Sequence, residues 1–404
     1  MSTHGTVVVG AGLAAAHTVE TLRSLDYADP ITLIGDEVDR PYERPGLSKE
    51  FLKGETDAAS LFVHEPTWYA DHDVATRFGT TVTGLDLAHS AVTVDSGDNI
   101  RYDSLVLATG SSPRSLPIPG TDLDGVVSLR RIADSEAIRS AFGPGKRIVL
   151  IGAGWIGLEV ASAAVQAGCT VTVLEYAPLP LQRVLGDELA RYIDRVHKAH
   201  GVDLRTNVSV TGIEGRDGRA TGVTTADGTV PADLVVMGVG AAPNTQLAAS
   251  AGLDVDGGIH VDEHLRTANP NVLATGDVAL AYNTLLGRAL RVEHWDNAIR
   301  LGKLAAQSIV GTGEVYDWQP YFYTDQFDFG MEYVGHGSSD DDVHIRGDLD
   351  AGEFIAFWTS GGRVTAAMNV NIWDVNETLR GIVGREVPSS RLTDTSIPLE
   401  ELAG

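Results

Sequence analysis

The sequence predicts an α/β fold in which two parallel-sheet βαβ domains are followed by a C-terminal α/β domain with a small antiparallel sheet. Three observations carry this. Residues 5–35 read as strand, helix, strand, and residues 146–175 repeat that order. The turn from first strand into helix is glycine-rich both times. Beyond Thr324 the pattern changes to short alternating runs, the signature of antiparallel strands.

Taken in order, Thr6–Gly10 is an apolar strand, Leu13–Leu25 a helix and Ile31–Gly35 a strand. Arg147–Gly152, Ile156–Ala167 and Thr170–Leu174 form the second set. Ser104–Ala108, Ala232–Gly238 and Val272–Thr275 are further apolar runs that end at glycine or a glycine-containing turn. Glu353–Trp358 and Val364–Val370 alternate as strands, and Asn376–Val383 reads as a helix. The expected partition is a discontinuous first domain at 1–112 and 245–319, a second at 113–244 and a third at 320–404. The polar stretch from Pro388 onward is expected to be a loosely held tail.

Composition removes several function classes. The 404 residues include 30 Lys+Arg against 55 Asp+Glu, a net charge of −25. That acidity argues against nucleic acid and anionic membrane surfaces as partners. No apolar run approaches the roughly 20 residues that span a bilayer. The N-terminus has no basic region before its first strand, so a cytoplasmic location is expected. Cys169 is the single cysteine. It forms no intrachain disulfide, redox pair or cysteine zinc cluster, and reads as an inert core thiol. The twelve histidines show no metal spacing. No metal site is expected, and His197 and His200 read as surface residues.

The first glycine motif is Gly10-Ala11-Gly12-Leu13-Ala14-Ala15. Its first glycine makes the tight turn, its second admits a pyrophosphate, and the small third residue lets the helix pack closely. Asp36 ends the second strand, 26 positions after Gly10. The second motif, Gly152-Ala153-Gly154-Trp155-Ile156-Gly157, is the full G-x-G-x-x-G, and Glu175 follows Gly152 by 23 positions. A carboxylate there accepts from both ribose hydroxyls and repels a 2′-phosphate, so NADH is preferred over NADPH. Two Rossmann-like sites in one chain suggest FAD plus NADH. Ala108-Thr109-Gly110 and Ala274-Thr275-Gly276-Asp277 fit the same idea, although an Asp after Gly is more often a turn residue.

Four further blocks are more specific: Arg40-Pro41-Tyr42-Glu43-Arg44-Pro45-Gly46-Leu47-Ser48-Lys49, Trp155-Ile156-Gly157-Leu158-Glu159, Glu293-His294-Trp295, and Pro320-Tyr321-Phe322-Tyr323-Thr324-Asp325-Gln326. On these the chain resembles the NADH-dependent ferredoxin reductases of bacterial oxygenase systems, within the glutathione-reductase-like flavoproteins. The resemblance covers about residues 5–385. It implies FAD contacts at Ala14, Asp36, Arg44, Lys49, Val82, Arg130, Asp277 and Trp295. With the motifs, the cofactor-binding set extends to Pro45, Arg183 and Gly240. The resemblance also implies that Lys49 pairs with Glu159 beside the flavin. A cation there stabilises reduced flavin and a carboxylate holds it in place. Without the matching blocks the two read as a surface lysine and a helix-face glutamate.

The implied activity is hydride transfer from NADH to FAD, then single-electron transfer to a [2Fe–2S] ferredoxin that feeds a monooxygenase or dioxygenase. Rubredoxin reductase, another NADH-dependent electron-transfer flavoprotein and an NADH oxidase-like flavoprotein are the alternatives. Disulfide, coenzyme A-disulfide and peroxide reductases use a cysteine near the flavin, and the first 168 residues contain none. Two departures from the family stand out: Gly46 replaces the second proline of its R-P-P-L-S-K block, and Tyr321-Phe322-Tyr323 replaces Trp-Phe-Trp. Tyr323 and Trp295 are expected along the electron exit and Phe322 in the core. Arg300 and Lys303 are the expected cationic patch for an acidic ferredoxin.

Overall fold

The computed structural model describes residues 4–404, which form two compact units. The first comprises the described chain through Arg44 with Ala58–Ser112 and Ala241–Pro320. The second comprises Pro45–Asp57, Pro113–Gly240 and Tyr321–Gly404. Against the expected partition, the segment carrying Pro45 and Lys49 groups with the second βαβ core and the C-terminal sheet.

In the first unit, β1 (Thr6–Val9) runs through the glycine turn into α1 (Leu13–Ser24) and on to β2 (Ile31–Ile34). The parallel sheet runs in the order Val272–Ala274, Ser104–Leu107, β1, β2, Val74–Arg77. Val7, Val8 and Val9 are all buried, as a strand covered on both faces requires. Each contributes about 1.5–3 kcal/mol of burial. The helix Trp295–Val310 lies against α1, where Thr18 Oγ1 meets the carbonyl oxygens of Ala14 at 2.9 Å and Gly302 at 3.0 Å.

The second unit repeats the design with β3 (Arg147–Ile151), α2 (Trp155–Gln166) and β4 (Thr170–Leu174). Its sheet order is Asp203–Arg205, β4, β3, Leu234–Met237, Val126–Val127, again parallel. α3 (Asp187–Ala199) follows β4. The C-terminal part is a five-stranded antiparallel sheet whose edge is β5 (Tyr321–Gln326), followed by Phe329–Gly335, Arg363–Val370, Glu353–Ser360 and Asp342–Asp348. In each parallel sheet the first strand lies between its second strand and a later one, so the switch point falls at the glycine turn, where such sheets bind ligands.

The tail is not loose. Ser389–Thr393 and Glu400–Ala403 are helical, and Leu392 and Leu402 are buried. Buried Arg346 donates to the carbonyl oxygens of Leu392, Asp394 and Ile397, so one guanidinium fork gathers three turns. No helix among the described residues is long and apolar enough to cross a membrane.

Candidate functional site

Both glycine loops have the geometry of a diphosphate cradle. Gly10 has φ +103° and Gly152 has φ +101°, the region glycine alone enters freely. A Cβ on Gly10 would lie 2.1 Å from the Ala108 oxygen, and one on Gly152 would lie 2.4 Å from the Gly238 oxygen. At Gly157 a Cβ would meet the Gly152 oxygen at 2.6 Å, so α2 sits close over the loop. Gly12 by contrast faces open space, and Gly154 has only the Gly238 oxygen at 3.9 Å. Neither α1 nor α2 has a side-chain cap or an acidic residue in its first turn. Their N-terminal amides and positive dipole ends are left for an anion.

The two acids that follow the loops differ. Asp36 is exposed just beyond β2. Half-buried Glu175 accepts from the Ala153 amide at 2.6 Å and the Ala177 amide at 2.7 Å, which ties the strand end to the loop. Each oxygen keeps a lone pair for a ribose hydroxyl.

Around the first loop, Leu13, Ala14 and Ala298 form a small apolar cluster with Trp295 against it, and Ala15 is fully buried. Asp277 sits on a one-turn helix, where its carboxylate accepts from the Ser111 hydroxyl at 2.8 Å. Ala108 directly follows the strand Ser104–Leu107. Thr109 and Asn244 exchange two hydrogen bonds of 2.8 Å, and the Gly110 oxygen receives the Asn244 amide. Arg44 is clamped by Glu37 at 2.8 Å and by the Tyr42 hydroxyl at 2.9 Å. Burial works against the Arg44 charge, but Tyr42 and Glu37 outweigh it and hold its pKa above the ordinary value. Glu37, one residue past the expected Asp36, was missed as a partner of this arginine. Val82 pairs with Val94 in a separate three-stranded sheet.

In the second unit, Lys49 and Glu159 meet. Lys49 Nζ lies 2.7 Å from Glu159 Oε1, with the two side chains 7% and 5% exposed. Ser48 donates to Glu159 Oε2 at 2.5 Å and Thr324 to Oε1 at 2.5 Å, so three donors converge on one carboxylate. Such satisfaction is what a buried charge needs. Lys49 Nζ also lies 5.3 Å from the Tyr323 ring centroid, within cation–π range. Pro45 opens the turn that presents Lys49, and the Ser135 hydroxyl fastens it through the Leu47 oxygen. Trp155 and Ile156 begin α2, with Ile156 49% exposed and Trp155 5.4 Å from Phe322. Arg130 is half-buried and gives its amide to Asp134, Arg183 is exposed on a short helix, and Gly240 accepts from the Arg114 amide.

Two expectations need correction. His197 is fully buried, not at the surface, and its Nε2 lies 2.7 Å from Gln326 Oε1. Phe322 is half-buried, stacked 4.9 Å from Tyr333. Of the residues expected in a cationic patch, Arg300 pairs with Asp296 at 2.9 Å one helical turn back with its side chain 43% exposed, and Lys303 is exposed. Cys169 is buried as expected, its sulfur 3.3 Å from the Gly143 amide nitrogen. Gln326 and His197 went unrecognised as neighbours of the ion pair.

Known proteins resemble this chain over nearly its whole length. Residues 4–302 match the pyridine nucleotide-disulphide oxidoreductase family and residues 321–403 the reductase C-terminal family. The anthranilate 1,2-dioxygenase system ferredoxin–NAD(+) reductase component of Burkholderia cepacia is 38% identical over 99% of both chains. Putidaredoxin reductase CamA of Pseudomonas putida is 36% identical over 98% of this chain and 96% of its own. Among solved structures, a covalent putidaredoxin reductase–putidaredoxin complex matches with a TM-score of 0.95 at 35% identity, over 98% of this chain and 97% of that one. The chain therefore belongs to the pyridine nucleotide-disulphide oxidoreductase family, in its branch of oxygenase-system ferredoxin reductases with FAD and NADH as cofactors.

Proposed function

We propose that this protein is an FAD-dependent NADH:ferredoxin reductase that supplies electrons to a monooxygenase or dioxygenase. The observation that carries the reading is two dinucleotide loops and a buried Lys49–Glu159 pair in a chain with one cysteine. The chemistry FAD supplies when bound is conversion of a two-electron donor into one-electron deliveries. The first loop, with Asp36, Arg44 and Asp277, holds the FAD. The second, with Glu175, holds NADH.

Lys49 presents a fixed positive charge, and Glu159 keeps it from swinging away. Lys49 retains two N–H bonds beyond the one directed at Glu159, enough to donate to an electron-rich acceptor. Cys169, buried and alone, leaves no dithiol for electrons to pass through. The relatives named above serve ferredoxins or their oxygenases, which supports an iron–sulfur carrier as acceptor here. Cytoplasmic residence, where NADH is available, belongs to the same reading.

The test is NADH-dependent cytochrome c reduction by FAD-loaded protein, with and without candidate ferredoxins. A large stimulation by a [2Fe–2S] ferredoxin is expected. A protein that stays colourless after FAD reconstitution would sink the proposal, and stimulation by rubredoxin alone would move it to the alternative acceptor.

A further inference from the structure

The buried ion pair does not end at Glu159. We infer that Thr324, Gln326 and His197 are positioning residues for Lys49 and Glu159, joined in a hydrogen-bond relay whose donor direction runs from His197 to Glu159. One contact sets the direction. A carboxylate only accepts, so Thr324 Oγ1, 2.5 Å from Glu159 Oε1, must give it its single proton. Thr324 is left with lone pairs, and the nitrogen facing it at 3.1 Å is the Gln326 amide donor. Gln326 Oε1 then points at His197 Nε2, 2.7 Å away, and needs a proton there. His197 is thereby fixed as the Nε2–H tautomer. Turning the Gln326 amide over would draw the Thr324 proton to Gln326 and leave two bare acceptors 2.5 Å apart.

Two independent features agree. Thr324, Gln326 and His197 are 1%, 2% and 0% exposed, so water does not compete for these bonds. His197 Nδ1 is buried with no hydrogen-bond partner among the described residues, as the unprotonated nitrogen of this tautomer must be tolerated. Burial also pushes the His197 pKa down to about 4, which keeps the ring neutral at pH 7. The Phe327 ring packs edge-on to His197 at 5.3 Å, and the Phe327 amide is anchored on Ser162 of α2. The relay thus links α3, β5 and α2 through side chains that have one satisfied arrangement.

The consequence concerns Lys49. Without the Thr324 proton, Glu159 keeps Ser48 on Oε2 and Lys49 on Oε1 but loses the donor that ties Oε1 to β5, so the carboxylate shifts and carries the lysine charge with it. This catalytic consequence rests on the reductase reading, whereas the relay itself does not.

The experiment uses FAD-loaded protein at pH 7. In ¹⁵N-histidine spectra, His197 should show a protonated Nε2 and an unprotonated Nδ1; the reverse tautomer overturns the relay. Thr324→Val should slow flavin reduction by NADH about tenfold and shift the flavin midpoint potential, with the KM for NADH changed by less than about twofold. Thr324→Ser should restore both. Gln326→Leu should slow reduction in the same way. Folded, FAD-binding Thr324→Val with wild-type rate and potential overturns the inference, as does failure of Thr324→Ser to rescue. If NADH does not reduce the wild-type flavin, the reductase reading fails while the tautomer still decides the relay.

Discussion

Glu175 Oε2 accepts the amide of Ala153 at 2.6 Å, so the acid that ends β4 also braces the glycine loop it follows. The bond joins two tasks in one side chain. Glu175 braces the loop in its cradle shape, and under the proposed function its charge would also select against a 2′-phosphate.

Glu175→Ala should therefore change two quantities. The ratio of kcat/KM for NADH over NADPH should fall by about tenfold, because a charge repulsion of roughly 1.4 kcal/mol is removed. The KM for NADH should rise as well, since the loop loses its brace. Steady-state kinetics with both cofactors measure this. A wild-type preference for NADPH would refute the assignment of Glu175.

The Lys49–Glu159 pair yields a cycle with opposite outcomes for stability and rate. Lys49→Met leaves a buried carboxylate without its cation and should cost about 3–5 kcal/mol in urea unfolding. Lys49→Met combined with Glu159→Leu should recover part of that stability, because no unpaired buried charge remains, while Ser48 and Thr324 lose their acceptor. Flavin reduction should remain slow in both. Recovery of the rate along with stability would show that the pair serves packing alone.

His197 gives the molecule a pH signature. Its folded pKa lies near 4, below the ordinary 6.5, because burial disfavours the charged ring, while Gln326 raises it and His200 and Asp194 act in opposite directions. Between those values the unfolded chain binds the extra proton, so the His197 contribution is complete above about pH 6.5 and falls as pH drops toward 4. The loss approaches about 3 kcal/mol at the lower end. His197→Gln removes this dependence. Denaturation of both proteins at pH 7 and 5 should show the wild-type advantage shrinking at the lower pH, and an advantage constant with pH would be contrary to it.

Much of the fold was legible because it is written locally. The βαβ strands and helices end within about two residues of where apolar runs and glycine turns place them, since those signals need no distant partner. The Lys49–Glu159 pair was legible only through sequence blocks, because the residues stand 110 positions apart and neither has a local reason to be buried. His197 was misread although a signal existed. It follows Leu189 and Ile193 at four-residue spacing on α3, and all three are buried. The polar letter outweighed the position, and its partner Gln326 lies 129 residues on. The tail failed for a similar reason: Arg346, more than forty residues upstream, supplies the donors its polar composition did not suggest.

The glycines of the second loop separate binding from folding. Gly154 has φ −80° and ψ 176°, which alanine adopts without strain, and its surroundings are open. Gly154→Ala should therefore fold with stability within about 1 kcal/mol of wild type. Its methyl group nevertheless projects where a diphosphate must approach backbone, so the KM for NADH should rise at least about tenfold. If the first loop holds FAD as proposed, FAD content should be unchanged. Gly157→Ala is different, since its Cβ would lie 2.6 Å from the Gly152 carbonyl oxygen and neither backbone can yield cheaply. That variant should lose about 2 kcal/mol or more of stability through displaced packing of α2 on β3. Thermal unfolding and NADH titration of the two variants check the contrast. An equally destabilised Gly154→Ala would mean the loop is packed against protein rather than open to a cofactor.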